Sequence, residues 1–162
     1  MQCFVTVGTT TFSELVHSAT SADLQKSLLL AGFTRLVVQH GTAPYPDGIP
    51  KTNLQIVHYS IKPSIAQDMQ DSDLIVSHCG AGTVMEALDR SKRVVVVVNP
   101  KLMDNHQQEL ADALNDHVWC STPASLLHDI DEIYRTTHTK LPFPKGDTTG
   151  FRNCFEQLLK KC

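Results

Sequence analysis

The run SDLIVSHCGAGTVMEAL, residues 72–88, passes from strand to turn to helix within seventeen positions. Residues 73–77 are mostly apolar and β-branched, residues 83–91 read as a helix, and Gly80 and Gly82 stand between them beside His78 and Cys79. Glycines at this junction let backbone amides at a helix N-terminus face an anion, where the macrodipole also favours negative charge. Glu86 follows four residues after Gly82, one turn into the helix and on the same face. A carboxylate there is badly placed for a phosphate and well placed to accept hydrogen bonds from vicinal hydroxyls of a ribose. The plainer alternative is an exposed surface glutamate near a helix start.

Working outward, the same alternation recurs. Apolar runs stand at 3–7, 35–39, 54–59, 73–77, 93–98 and 118–121, with helical patterns at 23–31, 64–71, 83–91, 105–115 and 123–134. Gly32 is placed to terminate the first of these helices, and Thr122 with Pro123 to open the last. Strands apolar on both faces belong in a parallel sheet covered by helices, so the expected fold is α/β, a Rossmann-like doubly wound sheet with ligands at the carboxyl ends of its strands. The 162 residues suit one domain, 1–162. Residues 41–53, GTAPYPDGIPKTN, form a long excursion that is either a lid or a connector. Residues 150–162 regain a helical pattern with Phe151, Phe155, Leu158 and Leu159 on one face, suited to docking on the domain or on a partner.

Composition excludes several classes. A net charge of -3 gives no reason to expect nucleic acid, and the longest apolar run, 94–98, is far below the ~18 residues of a membrane span. The N-terminus lacks a signal-like basic and apolar pattern, and the five cysteines show no C-x-x-C or zinc-ligand spacing, so reduced thiols and a cytoplasmic location are expected. His78, Cys79 and His106 match no metal-site spacing, so no metal is expected.

Two further loops follow strand ends. TVGTTTF, 6–12, offers Gly8, Thr9 and Thr10 near a helix start, either for a diphosphate or as a plain turn. NPKLMDNHQQELA, 99–111, gathers Asn105, His106, Gln107 and Gln108, suited to sugar hydroxyls or, alternatively, a capped and solvated helix start.

Together FVTVGTT at 4–10, SDLIVSHCGAGTVMEAL at 72–88 and VVVVNPKLMDNHQQELA at 95–111 resemble the small catalytic, donor-binding subunit of the eukaryotic heterodimeric UDP-N-acetylglucosamine transferases of the dolichol-linked oligosaccharide pathway. The resemblance implies the C-terminal half of a GT-B glycosyltransferase of the family 28 type, similar to the bacterial enzyme that makes lipid II. It implies transfer of N-acetylglucosamine from UDP-N-acetylglucosamine to dolichyl-diphosphate-N-acetylglucosamine, with inversion and no metal. By position it places Gly8, Thr9 and Thr10 near the diphosphate and Tyr59, Ser60 and Ile61 against uracil. It gives the donor loop to Ser77, His78, Gly80, Ala81, Gly82 and Thr83, the ribose acid to Glu86, and the donor sugar to Asn105, His106, Gln107 and Gln108. The catalytic base is left unassigned, with His78 and His106 as the candidates in this chain. A membrane-anchored acceptor-binding subunit is the implied partner, recruiting this chain to the cytosolic face of the endoplasmic reticulum, with 150–162 assisting association. The competing expectation is a non-catalytic nucleotide-binding or scaffold module of the same fold.

Overall fold

The computed structural model describes residues 1–99, 106–136 and 139–144. Its elements run β1 (Gln2–Thr6), α1 (Ser13–Thr20), α2 (Ala22–Leu30), β2 (Arg35–Gln39), β3 (Gln55–Tyr59), α3 (Ala66–Asp71), β4 (Leu74–Ser77), α4 (Ala81–Asp89), β5 (Arg93–Val97), α5 (His106–Ala113), β6 (Trp119–Ser121) and α6 (Leu126–Arg135). The six strands form one sheet in the order β3-β2-β1-β4-β5-β6, and every pairing is parallel. The order reverses between β1 and β4, the topological switch point at which doubly wound sheets take their ligands.

Burial follows strand position. β1 and β4 are buried throughout, whereas the outermost β3 and β6 are partly exposed. Alternation along each strand divides the core into two layers. Cys3, Val5, Val95 and Val97 face one cluster with Leu15, Leu24, Leu28, Leu126 and Ile130, so α1, α2 and α6 cover that side. Phe4, Ile75, Val94 and Val96 face the other with Met69, Val84, Leu88, Leu110 and Leu114, so α3, α4 and α5 cover the opposite side. Each such aliphatic side chain contributes about 1.5–3 kcal/mol of burial free energy. This two-sided burial is what the valine run at 93–98 predicts.

Two helix ends show how local sequence sets boundaries. After α2, Gly32 N–H donates to Leu29 O at 3.0 Å and Phe33 N–H to Leu28 O at 2.9 Å, with Gly32 at φ +90°. This is a Schellman closure with glycine in its left-handed position. α4 ends the same way, through Ser91 N–H to Leu88 O at 2.8 Å and Lys92 N–H to Ala87 O at 3.1 Å, but the left-handed residue there is Ser91, φ 56°.

The structure departs from the sequence expectation in several places. Residues 13–30 form two helices, not one starting at residue 23; Ser21 closes α1 and then caps α2, its hydroxyl accepting from Leu24 N–H at 3.3 Å. α3 begins at Ala66, two residues beyond the expected start. α4 begins at Ala81, so Gly82 lies inside the helix and not in the turn before it. α6 begins at Leu126, with Thr122 instead closing the preceding turn by accepting from Ser125 N–H at 3.2 Å. The expected helix at 150–162 lies outside the described residues.

The excursion at 41–53 is fastened along its length. Thr42 N–H donates to Thr10 O at 3.3 Å, the Tyr45 ring stacks on His58 at 3.6 Å, and Thr52 Oγ1 donates to Gln25 Oε1 at 2.7 Å. Tyr45 and, from β3, Ile56 both pack against the core layer under α1 and α2, so the excursion is tied to that face of the sheet, to the β1 loop and to α2.

Candidate functional site at the sheet switch point

Parallel register lines up a row of side chains at the carboxyl end of the sheet. Tyr59 pairs with Gln39, Gln39 with Thr6, and Thr6 with Ser77, one residue from each of the four adjacent strands β3, β2, β1 and β4. Gln39, Thr6 and Ser77 are all buried. Beyond this row the chain leaves β1 through Gly8 to Phe12 and leaves β4 through His78 to Gly80.

The imidazole of His78 fills the space between those two exits. A Cβ on Gly8 would stand 2.8 Å from His78 Cε1, and one on Gly80 would stand 2.5 Å from both Cε1 and Nε2. Gly8 is also left-handed, φ +62°. Both glycines therefore have a reason inside the protein: they leave room for the ring. His78 Nδ1 lies 3.4 Å from Thr6 O. A carbonyl only accepts, so Nδ1 carries the proton and Nε2 the lone pair. Burial pushes the His78 pKa down, partly offset by that carbonyl, so the ring is neutral at pH 7.

Gly82 is different. A Cβ there meets nothing within 4 Å among the described residues. Glycine in a helix costs about 0.5–1 kcal/mol relative to alanine, and here no packing within the described residues requires it. The N-cap of α4 is Gly80, with no side-chain cap and no acidic residue in the first turn. The first turn of α4 thus has no side-chain cap, which is the condition under which helix amides receive an anion.

Glu86 lies one turn further along the same stripe, as the spacing predicts, but its carboxylate is not free. Oε1 accepts from Arg90 Nη2 at 2.9 Å, and Arg90 Nη1 reaches Gln70 Oε1 at 3.3 Å. With Glu86 about 40% exposed, the pair contributes only a few tenths of a kcal/mol.

Other expected residues are placed as follows. Thr9 and Thr10 are exposed on the β1 loop, with Thr10 Oγ1 donating to Val7 O at 2.8 Å. Ser77 Oγ is buried and lacks a hydrogen-bond partner among the described residues. Gln107 Oε1 accepts from Asn99 N–H at 3.1 Å, and its backbone O accepts from Cys79 Sγ at 3.2 Å, joining α5 to the ends of β5 and β4. Gln108 turns to Asp112 Oδ1 at 2.8 Å on an exposed face. Asn105 and the side chain of His106 lie outside the described residues. Tyr59 donates to Asp68, and Lys62 sits over its ring at 4.5 Å. Ile61 is exposed and Ser60 O accepts from Gly41 N–H at 3.1 Å.

Sequence reasoning missed Gln39. A polar residue at a strand end reads as solvated, yet its side chain is 3% exposed and bonds only to groups 21 or more residues away. Cys79, in turn, is a poor nucleophile: it is buried, left-handed at φ 60°, and burial pushes its thiol up to about 12. Among the described residues no three of His, Cys, Asp and Glu converge as a metal-binding group, and no helix is long and apolar enough to cross a membrane.

A groove of about 510 Å³ lies elsewhere, lined by Asn115, Asp116, Trp119, Glu132 and Leu141. It stands at the amino end of the edge strand β6, opposite to where such sheets bind ligands, and it is not the candidate site.

Fold and site together define a doubly wound α/β domain with an open, uncapped helix N-terminus at its switch point. A family model described as the glycosyltransferase family 28 C-terminal domain matches residues 2–158, and the chain belongs to that family. Its curated relatives include the UDP-N-acetylglucosamine transferase subunit ALG13 of Mus musculus, 41% identical over 139 residues, and of Yarrowia lipolytica, 35% identical over 116. The matches cover 78% and 67% of this chain. The chain spans only 12% of the mouse relative's length and 57% of the Yarrowia relative's. An NMR solution structure of ALG13 matches 94% of both chains at 25% identity, TM-score 0.68. The crystal structure of MurG from Acinetobacter baumannii matches 83% of this chain and 40% of its own at 19% identity, TM-score 0.59, a likeness of fold. The sheet is thus similar to the C-terminal domains of GT-B glycosyltransferases.

Proposed function

We propose that this chain is the donor-binding, catalytic subunit of an inverting UDP-N-acetylglucosamine transferase. It takes UDP-N-acetylglucosamine across the carboxyl ends of β1 and β4 and acts with a membrane-anchored subunit that holds dolichyl-diphosphate-N-acetylglucosamine. The observation that carries this reading is Gly82: a helix glycine whose Cβ position meets none of the described residues, in the first turn of a helix without a side-chain cap, at the switch point of the sheet.

On this reading the diphosphate lies between Gly8, Thr9 and Thr10 on one side and Gly80, Ala81, Gly82 and Thr83 on the other. Helix amides and hydroxyls meet the charge that grows on departing UDP, so no metal is needed. The backbone of Tyr59, Ser60 and Ile61 meets uracil. Glu86 accepts from the ribose hydroxyls, with Arg90 steadying the carboxylate and reducing its repulsion of the diphosphate. Asn105, His106, Gln107 and Gln108 read the sugar. His78, neutral and wedged between the two loops, holds them apart rather than carrying charge. The acceptor hydroxyl still requires a base, and the partner subunit is its source in this account. The names of the relatives, each a transferase subunit, support a divided enzyme; on the same proposal it works at the cytosolic face of the endoplasmic reticulum.

The test is sugar transfer by the chain alone, by the chain with its partner, and by the complex carrying Glu86→Ala. Transfer only in the complex, lost at least about tenfold in the variant, is the expected pattern, equivalent to ~1.4 kcal/mol of transition-state binding. Undiminished transfer by Glu86→Ala would favour a scaffold role for this chain.

A further inference from the structure

Gln39 is the last residue of β2, and all four hydrogen-bonding positions of its amide are used. Oε1 accepts from Thr6 Oγ1 and from Gly8 N–H at 3.0 Å. Nε2 donates to Gly8 O at 2.5 Å and to Ser60 O at 3.0 Å. Two donors on one side and two carbonyls on the other leave only one orientation for the amide. Its partners fall into two groups. Thr6 and Gly8 belong to the exit from β1, and Ser60 to the exit from β3, two strands away in the sheet.

Neighbouring contacts make the same bridge. Gly41 N–H donates to Ser60 O at 3.1 Å, and a Cβ on Gly41 would stand 2.2 Å from Thr10 O. The exit from β2 is therefore packed against both loops, and Gln39 is its buried tie. We infer that Gln39 is a positioning residue that sets the spacing between the β1 loop and the β3 loop, so that the two ends of a nucleoside diphosphate are held in register. This rests on the proposed site, in which the β1 loop meets the diphosphate and the β3 loop the base. A ligand that spans both loops gains from their fixed separation, because its second contact becomes intramolecular; a fragment touching one loop does not.

The test compares wild type with Gln39→Glu, which keeps the shape but turns an oxygen toward Gly8 O and Ser60 O, and with Thr6→Val, which removes the hydroxyl's bonds to Gln39 Oε1 and from Gly8 N–H but leaves the amide bridging Gly8 and Ser60. Two readouts on the full chain are needed. Without ligand, Gln39→Glu should move the backbone amide NMR signals of Gly8 and of residues 60–61 together, while those of α6 stay in place. With ligand, UDP affinity should fall about tenfold or more, whereas affinity for uridine alone and for inorganic pyrophosphate alone should change less than ~3-fold. Thr6→Val should give a smaller loss for UDP.

Amide shifts confined to Gly8 would overturn the inference, since the two loops would then be uncoupled. Equal losses for all three ligands would overturn it too, by showing a merely structural residue. Coupled amide shifts in Gln39→Glu, with a wild-type chain that binds none of the three ligands, alone or with its partner, would keep the tie between the loops and sink the nucleotide site itself.

Discussion

Replacing Gly82 by alanine should stabilise this protein while damaging its donor site. Gly82 is the second residue of α4 after the Gly80 cap, it is not left-handed, and a Cβ added to it meets nothing within 4 Å among the described residues. Alanine is favoured over glycine in helices by about 0.8–1 kcal/mol, and a first-turn position recovers about half of that. For a domain of this size, ~0.5 kcal/mol raises Tm by about 1–2 °C. On the proposed reading the added methyl intrudes on the room the diphosphate takes beside the first turn of α4, so UDP affinity should fall at least about tenfold, or ~1.4 kcal/mol. Thermal melting and a UDP titration on the same preparation provide both numbers. A lower Tm would mean the site is packed and not open; unchanged UDP affinity would mean that the space in front of Gly82 holds no ligand.

Ser91→Gly should stabilise by about 1 kcal/mol, because Ser91 holds the left-handed position of the α4 closure, and a chemical denaturation midpoint will show it. Gly80→Ala should destabilise sharply through collision with the His78 ring, and His78→Ala should recover most of that loss, which a double-mutant cycle of melting free energies would reveal. Since burial lowers the folded-state pKa of His78 below its free value of ~6.5, its contribution is full above the free value and is lost as pH falls from there through the folded-state pKa; a titration midpoint below ~6.5 for the ring by NMR is the expected result. With its thiol pushed up to about 12, Cys79 should alkylate far more slowly than exposed Cys120 at neutral pH, as mass spectrometry after iodoacetamide treatment will report.

The architecture was readable because its signal is local. Strands apolar on both faces separated by helical patterns leave few alternatives to a parallel sheet, and the predicted strand limits agree with the observed ones to within about one or two residues. The helix α1 was missed because Leu15, Val16 and Ala19 form a short apolar stripe interrupted by His17 and Ser18, and Ser21 ends one helix and begins another within a single residue. Gly8 and Gly80 were read as points where a ligand comes close; nothing in the sequence signalled that each also makes room for the His78 ring, which only the pairing of β1 with β4 brings beside Gly8. Gln39 carried no local signal at all, since its bonds span 21 and 31 residues and appear only once parallel register aligns it with Thr6 and Tyr59.

The most direct measurement is backbone amide NMR of the full chain titrated with UDP-N-acetylglucosamine, in the presence of the partner subunit if binding alone is weak. The account predicts that signals of Gly8, Thr9, Thr10 and residues 80–83 shift together, with Glu86 following and the groove around Asn115 and Trp119 silent. Shifts centred on that groove, or none at the two glycine loops at saturating donor, would contradict it.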